Sequence, residues 1–180
     1  MIPSSITSIG DYAFKGCSLL TQKNISSSIT DIGSNSFNEF TSLIGIIFEN
    51  PSFLCLIRQS TFMKRQNLTE ITIPSSVTSI GDSAFCGCSK LEQIIFENPS
   101  SLTLIGSSAF YECSSLKKLT IPSSATSVER LSLSVTLINE NAFKKCSFLN
   151  KITIPSSVKI GLFDLTMVNS YSRILFHVHV

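Results

Sequence analysis

The chain has 180 residues, 43% of them hydrophobic and only 14% charged, with a formal net charge of +2. That length suits one domain with its own core, the apolar content excludes a disordered chain, and so weak a field excludes electrostatic capture of nucleic acid or an acidic membrane. Met1-Ile2-Pro3-Ser4-Ser5 lacks the basic start and apolar stretch of a signal peptide, and no apolar run approaches the ~18 residues of a membrane-spanning helix.

In chain order the sequence repeats one unit. The first opens after Pro3 with an extended piece ending at Ile9, turns at Gly10 and Asp11, brings Phe14 inward, and reaches a strand through Leu20 to Ile25. The later units repeat this with Ile32, Phe37, Leu43 and Phe48; Ile57, Phe62, Leu68 and Ile73; Ile80, Phe85, Leu91 and Phe96; Ile105, Phe110, Leu116 and Ile121; and Ile138, Phe143, Leu149 and Ile154. In every unit the isoleucine stands five residues before the phenylalanine and the leucine six after it. The phenylalanines are spaced by 23, 25, 23, 25 and 33 residues, and all of that variation falls in one corner between units. Stacked coils must keep core-facing segments in step while a surface corner lengthens at small entropic cost, so the pattern favours a solenoid.

Within a unit, Leu68-Thr-Glu-Ile-Thr-Ile73 has the LxxLxL form, with residues 68, 71 and 73 inward and the last three alternating as a strand. Proline closes the strand at Pro3, Pro74, Pro122 and Pro155, and three residues later at Pro51 and Pro99. Glycines 10, 33, 81, 106 and 161 are expected at the next corner for positive φ. Asp11, Ser34, Asp82 and Ser107 are expected to cap a brief helical turn that carries the phenylalanine. The residue before each phenylalanine is small (Ala13, Ser36, Thr61, Ala84, Ala109, Ala142), which lets backbones approach and the rings stack as a spine. Residues 123–137 form an insertion whose apolar alternation from Val128 to Leu137 suits either a projecting docking element or a degenerate coil packed on the stack. Residues 162–180 depart from the repeat, and their final strand, Ile174 to Val180, is read as a cap.

The segment IPSSVTSIGDSAFCGCSKLEQI, Ile73 to Ile94, closely resembles the BspA-type leucine-rich repeat of surface antigens from parasitic protists and mucosal bacteria. The resemblance recurs over residues 2 to 160. It implies a leucine-rich-repeat solenoid, an α/β right-handed coil of short parallel strands and short helical or 3-10 turns, with about six to seven coils in residues 1–161. It also implies a non-catalytic role in surface adhesion or host-protein recognition, with a host or extracellular-matrix protein as partner and a cell-surface location. The alternative is an intracellular protein-interaction scaffold, or a non-functional fragment of a longer repeat array, the latter reading resting on the chain's beginning in mid-unit and on Lys23 at an inward strand position.

The third and fifth residues of each strand point outward and run along one face, read as concave. The candidate ligand residues there are Gln22, Glu70, Thr72, Gln93, Ile95, Lys118, Thr120, Lys151 and Thr153, with Asn24, Gly45 and Ile47 completing the ladder, and the charge changes from acidic to basic along it.

Other chemistry finds little footing. Three residues after each phenylalanine stand Cys17, Phe40, Arg65, Cys88, Cys113 and Cys146, a partial ladder read as buried free thiols. Stacked side chains run parallel, which argues against disulfides, and Cys86-Gly-Cys88 is too closely spaced for the usual zinc site. His177 and His179 alternate on one side of the last strand and are read as solvent-facing. No spacing assembles a catalytic triad or a phosphate loop, so no enzyme activity and no cofactor are expected. Asn24-Ile25-Ser26 and Asn67-Leu68-Thr69 are glycosylation sequons that matter only for an exported chain, and Arg58, Lys64 and Arg65 are expected to solvate a surface.

Overall fold

The computed structural model describes residues 3–17, 24–39, 45–122, 137–155, 158–160 and 173–177. Leu20, Gln22, Lys23, Phe40, Leu43, the insertion up to residue 136, His179 and the tail on either side of 173–177 lie outside the described residues. The strands are β1 (Ser8–Ile9), β2 (Asn24–Ile25), β3 (Asp31–Ile32), β4 (Gly45–Phe48), β5 (Leu56–Ile57), β6 (Glu70–Ile73), β7 (Ser79–Ile80), β8 (Gln93–Phe96), β9 (Leu104–Ile105), β10 (Lys118–Thr120), β11 (Leu137–Ile138), β12 (Lys151–Pro155), β13 (Lys159–Ile160) and β14 (Arg173–His177). Each of the longer strands pairs in parallel with its counterpart from the next coil, in the order β14-β12-β10-β8-β6-β4-β2. The short strands form a second parallel sheet, β13-β11-β9-β7-β5, while β1 pairs with β3. This is a parallel-strand β-solenoid.

The periodic apolar positions build its core. Ile9, Ile32, Ile57, Ile80, Ile105 and Ile138 are all buried, as are Ile46, Ile71, Ile94, Leu119 and Ile152 from the longer strands. Phe14, Phe37, Phe62, Phe85, Phe110 and Phe143 stack consecutively, with ring centroids 5.2 to 5.6 Å apart and planes within 22° of parallel. The six rings therefore make one column, each contact adding about 0.5–1.5 kcal/mol to the burial of the rings. Ser36, Thr61, Ala84, Ala109 and Ala142 are fully buried beside it, so a larger side chain at any of them would separate the coils.

The segment carrying the rings is not helical: among the described residues there is no helix. Residues two before and two after each phenylalanine have positive φ, and ten of these are not glycine, with φ from 54° at Ser60 and Ser83 to 62° at Lys145. A left-handed residue at every fourth position breaks a right-handed helix into successive turns. Amide donors alternate accordingly. Ala84, Cys86 and Cys88 close local turns onto Gly81, Ser83 and Phe85, while Ser83, Phe85 and Gly87 donate to Ser107, Ala109 and Tyr111 of the next coil at 2.8 to 2.9 Å. These bonds between coils hold a conformation that isolated side-chain-bearing residues rarely adopt.

The corner glycines serve a different purpose from the one expected. Positive φ occurs at Gly16 and Gly87, in the turns, and not at Gly33, Gly81 or Gly106. A Cβ on Gly81 would lie 2.8 Å from the backbone of Arg58 and Gln59, and one on Gly106 would lie 2.7 Å from the backbone of Gly81 and Asp82, so close stacking excludes a side chain. The capping expectation changes too. Asp11 and Asp82 do not cap a helix in their own coil; each accepts a hydrogen bond from the next coil, from Ser34 N and Ser107 N, both at 2.7 Å.

Of the ladder three residues after each phenylalanine, Arg65, Cys88, Cys113 and Cys146 are buried and Cys17, in the first coil, is half-buried. The thiols of Cys88, Cys113 and Cys146 donate to the carbonyls of Phe62, Phe85 and Phe110 at 3.1 to 3.2 Å. All six cysteines are free. Arg65 occupies the same column and is fully buried, which corrects the expectation that it solvates a surface. Its position is imposed by register with Phe62, and burial draws its guanidinium down to about 10. Arg58 and Lys64 do face solvent, paired with Asp31 at 2.9 Å and Glu39 at 3.5 Å.

Candidate ligand face

Strand alternation sends every second residue of the large sheet away from the core. Pairing of β4, β6, β8, β10, β12 and β14 then aligns the outward positions into columns. One column runs Gly45, Glu70, Gln93, Lys118, Lys151 and, by backbone register, Arg173. Beside it Asn24 aligns with Ile47, Thr72 with Ile95, and Thr120 with Thr153. The first column passes from acidic Glu70 through a neutral amide to two adjacent lysines.

Among the hollows of this face, two are lined by described residues. The larger, about 810 Å³, is lined by Gln93, Ile95, Lys118, Thr120 and Thr153, with Glu97 and the prolines Pro122 and Pro155 at the strand ends. The smaller, about 340 Å³, is lined by Gly45, Ile47, Glu70 and Thr72, and shares Glu97 with the first. Of the candidate residues, Gln93, Ile95, Lys118, Thr120 and Thr153 are thus brought together in one depression and Glu70 and Thr72 in the other. Lys151 is in register beside Lys118 but does not line either, and Gln22 lies outside the described residues.

Sequence reasoning passed over Glu97, which sits at the junction of the two hollows and whose Oε2 accepts a hydrogen bond from Ser75 N at 2.9 Å. Glu49 does the same for Ser27 N at 3.3 Å. The signal was present. The motif Ile-Ile-Phe-Glu-Asn-Pro recurs at residues 46–51 and 94–99, so the repeat has a longer period of two coils that places Ile47 and Ile95 as exposed isoleucines on alternate strands.

Charge compensation differs between the faces. Lys64 and Lys145, on the turns, pair with Glu39 and with Glu112, the latter at 2.8 Å. The hydrogen bond to Glu112 pushes the Lys145 ammonium above its ordinary range, and the Tyr111 ring lies 4.9 Å from that nitrogen. At the rim of the sheet Lys117 pairs with Glu92 at 2.6 Å. Among the described residues no ion pair involves Lys118, Lys151 or Glu70. Among the described residues there is no group of histidine, cysteine and carboxylate side chains suited to a metal, and no helix long and apolar enough to cross a membrane.

A profile of the BspA type leucine rich repeat region matches residues 1–97 and 55–162, in six copies. The chain belongs to this family. Among solved structures it is similar to the T. pallidum leucine rich repeat protein TpLRR, with 29% identity over 87% of this chain and 67% of that one and a TM-score of 0.73. It also shares its fold with the pneumococcal vaccine antigen PcpA, with 24% identity, a TM-score of 0.61, and coverage of 94% of this chain and 56% of that one. The chain thus spans about two thirds of the first protein and little more than half of the second. No curated protein matches it.

Proposed function

We propose that this BspA-type repeat module is a non-catalytic protein-binding surface, serving adhesion or host-protein recognition at the cell surface, with the outer face of the large sheet as its ligand face. Residues 1–161 act as the binding module, and the tail from 162 closes the stack through β14. The observation that carries the reading is the uncompensated column of Glu70, Lys118 and Lys151 beside hollows lined by Ile47 and Ile95. Open faces of repeat solenoids characteristically serve as extended binding surfaces, and exposed apolar side chains among unpaired charges suit a protein rather than a small metabolite.

Beads coated with the chain and presented to mucosal epithelial cells and immobilised matrix proteins test this reading. Adhesion is expected to be lost in the Lys118→Glu, Lys151→Glu double variant and retained in the Lys144→Glu, Lys145→Glu variant, which has the same net charge. Undiminished adhesion of the first variant would retire the sheet face as the binding surface. Labelling of the chain on intact cells, or glycan at Asn24 or Asn67, is the expected sign of export, and an exclusively cytosolic pool contradicts it.

A further inference from the structure

The sheet face also constrains what it can hold. Glu70, Gln93, Lys118 and Lys151 lie on four successive strands in register. At ~4.8 Å per strand they span about 14 Å, the length of about four extended residues. Lys118 and Lys151 are directly opposite one another, an arrangement of like charges that weakens a sheet, and among the described residues neither has a carboxylate to offset it. An anion supplied from outside removes that repulsion. The anion has to be local, because Glu70 and Glu97, which make no ion pair among the described residues, border these hollows and would repel a uniformly charged polymer. Between the charged ends, Ile95 presents 36% of its surface next to Thr120, Thr153 and two prolines, a seat for an apolar side chain.

Resting on the reading of this face as a protein-binding surface, we propose that its occupant is an extended partner segment lying along the stack, with carboxylates over Lys118 and Lys151, an apolar side chain on Ile95 and a basic residue toward Glu70. The charge gradient sets the direction in which the segment lies, and the isoleucine sets its register. Nucleic acid and sulfated polysaccharide, which carry negative charge throughout, are disfavoured by the acidic end.

The test uses the full chain and fluorescence anisotropy with labelled hexapeptides. The probes are Lys-Gly-Leu-Glu-Glu-Glu, its reversed sequence, and a scrambled peptide of the same composition with the charges interleaved. One of the two graded peptides is expected to bind at least about tenfold more tightly than the scrambled one, with an affinity that falls as salt rises. That binding should drop at least about tenfold in Lys118→Glu, Lys151→Glu and stay unchanged in Lys144→Glu, Lys145→Glu. Equal affinity for the scrambled peptide, no binding of either graded peptide, or tighter binding of a single-stranded DNA oligomer would each overturn the inference. If the peptides fail but a photo-crosslinker at residue 120 still tags a host protein, the acidic segment is refuted while the protein-binding surface stands.

Discussion

The turn face and the sheet face of this solenoid are built from the same coils yet treat polar groups in opposite ways. On the turn face, successive amides alternate between closing a turn and reaching the next coil, buried thiols donate to carbonyls, and Lys64 and Lys145 each meet a carboxylate. On the sheet face the backbone is equally well paired, but Glu70, Lys118 and Lys151 have no ion partner among the described residues and Ile47 leaves 54% of its surface in water. One face joins coil to coil. The other is the regular platform that this joining produces.

Mutations should separate the two faces, beginning with the largest effect. Phe85→Ala removes a fully buried ring stacked on both Phe62 and Phe110 and is expected to cost about 3–5 kcal/mol in urea denaturation, whereas Ile95→Ala on the sheet face should cost well under half of that. Gly106→Ala forces a Cβ against the backbone of the preceding coil and is expected to cost about 1–3 kcal/mol, read in the same assay. Gly87→Ala, at φ +74°, should cost about 1 kcal/mol because the turn needs a left-handed residue there. Lys118→Glu with Lys151→Glu should change stability by no more than about 0.5 kcal/mol while abolishing binding, and a large loss of stability would blur the contrast between the faces.

The thiol column adds a pH dependence of definite sign. Burial pushes Cys88 and Cys146 up to about 12, and Cys113 well above its ordinary value. The folded state therefore holds these protons more tightly than the unfolded state. Their contribution to stability is complete below about pH 9 and is lost as pH rises from there toward 12. Arg65, drawn down to about 10 by burial, acts with the opposite sign above that value and offsets part of the loss there. Melting temperature followed against pH should fall over this range, and more gently in Cys88→Ala, Cys146→Ala. A thiol reagent at pH 8 should modify exposed Cys55 while Cys88, Cys113 and Cys146 react only on unfolding.

Much of this was legible in the sequence because a stacked fold repeats its demands. The isoleucine, phenylalanine and leucine registers place Ile80, Phe85 and Leu91 in the core without knowledge of any contact, and the outward positions of the strands follow from alternation alone. The turns were not legible. Tyr12, Glu39, Lys64 and Lys145 have no intrinsic liking for positive φ, and the conformation is imposed by hydrogen bonds from the adjacent coil, so spacing around the phenylalanine looked helical. The corner glycines invited a conformational reason where the true one is steric, since only the adjacent coil shows what a Cβ on Gly81 or Gly106 would strike. Glu97 was overlooked because it lies in the corner where units vary in length, a place that the repeat pattern marks as dispensable.

The claim that the sheet face, and not the turn face, meets a partner is tested most directly by installing p-benzoylphenylalanine at Thr120 and, separately, at Tyr111, then irradiating each chain on mucosal cells with immobilised matrix protein. Protein adducts from position 120 with none from position 111 are predicted. Adducts from position 111 alone, or equal yields from both, would contradict the account.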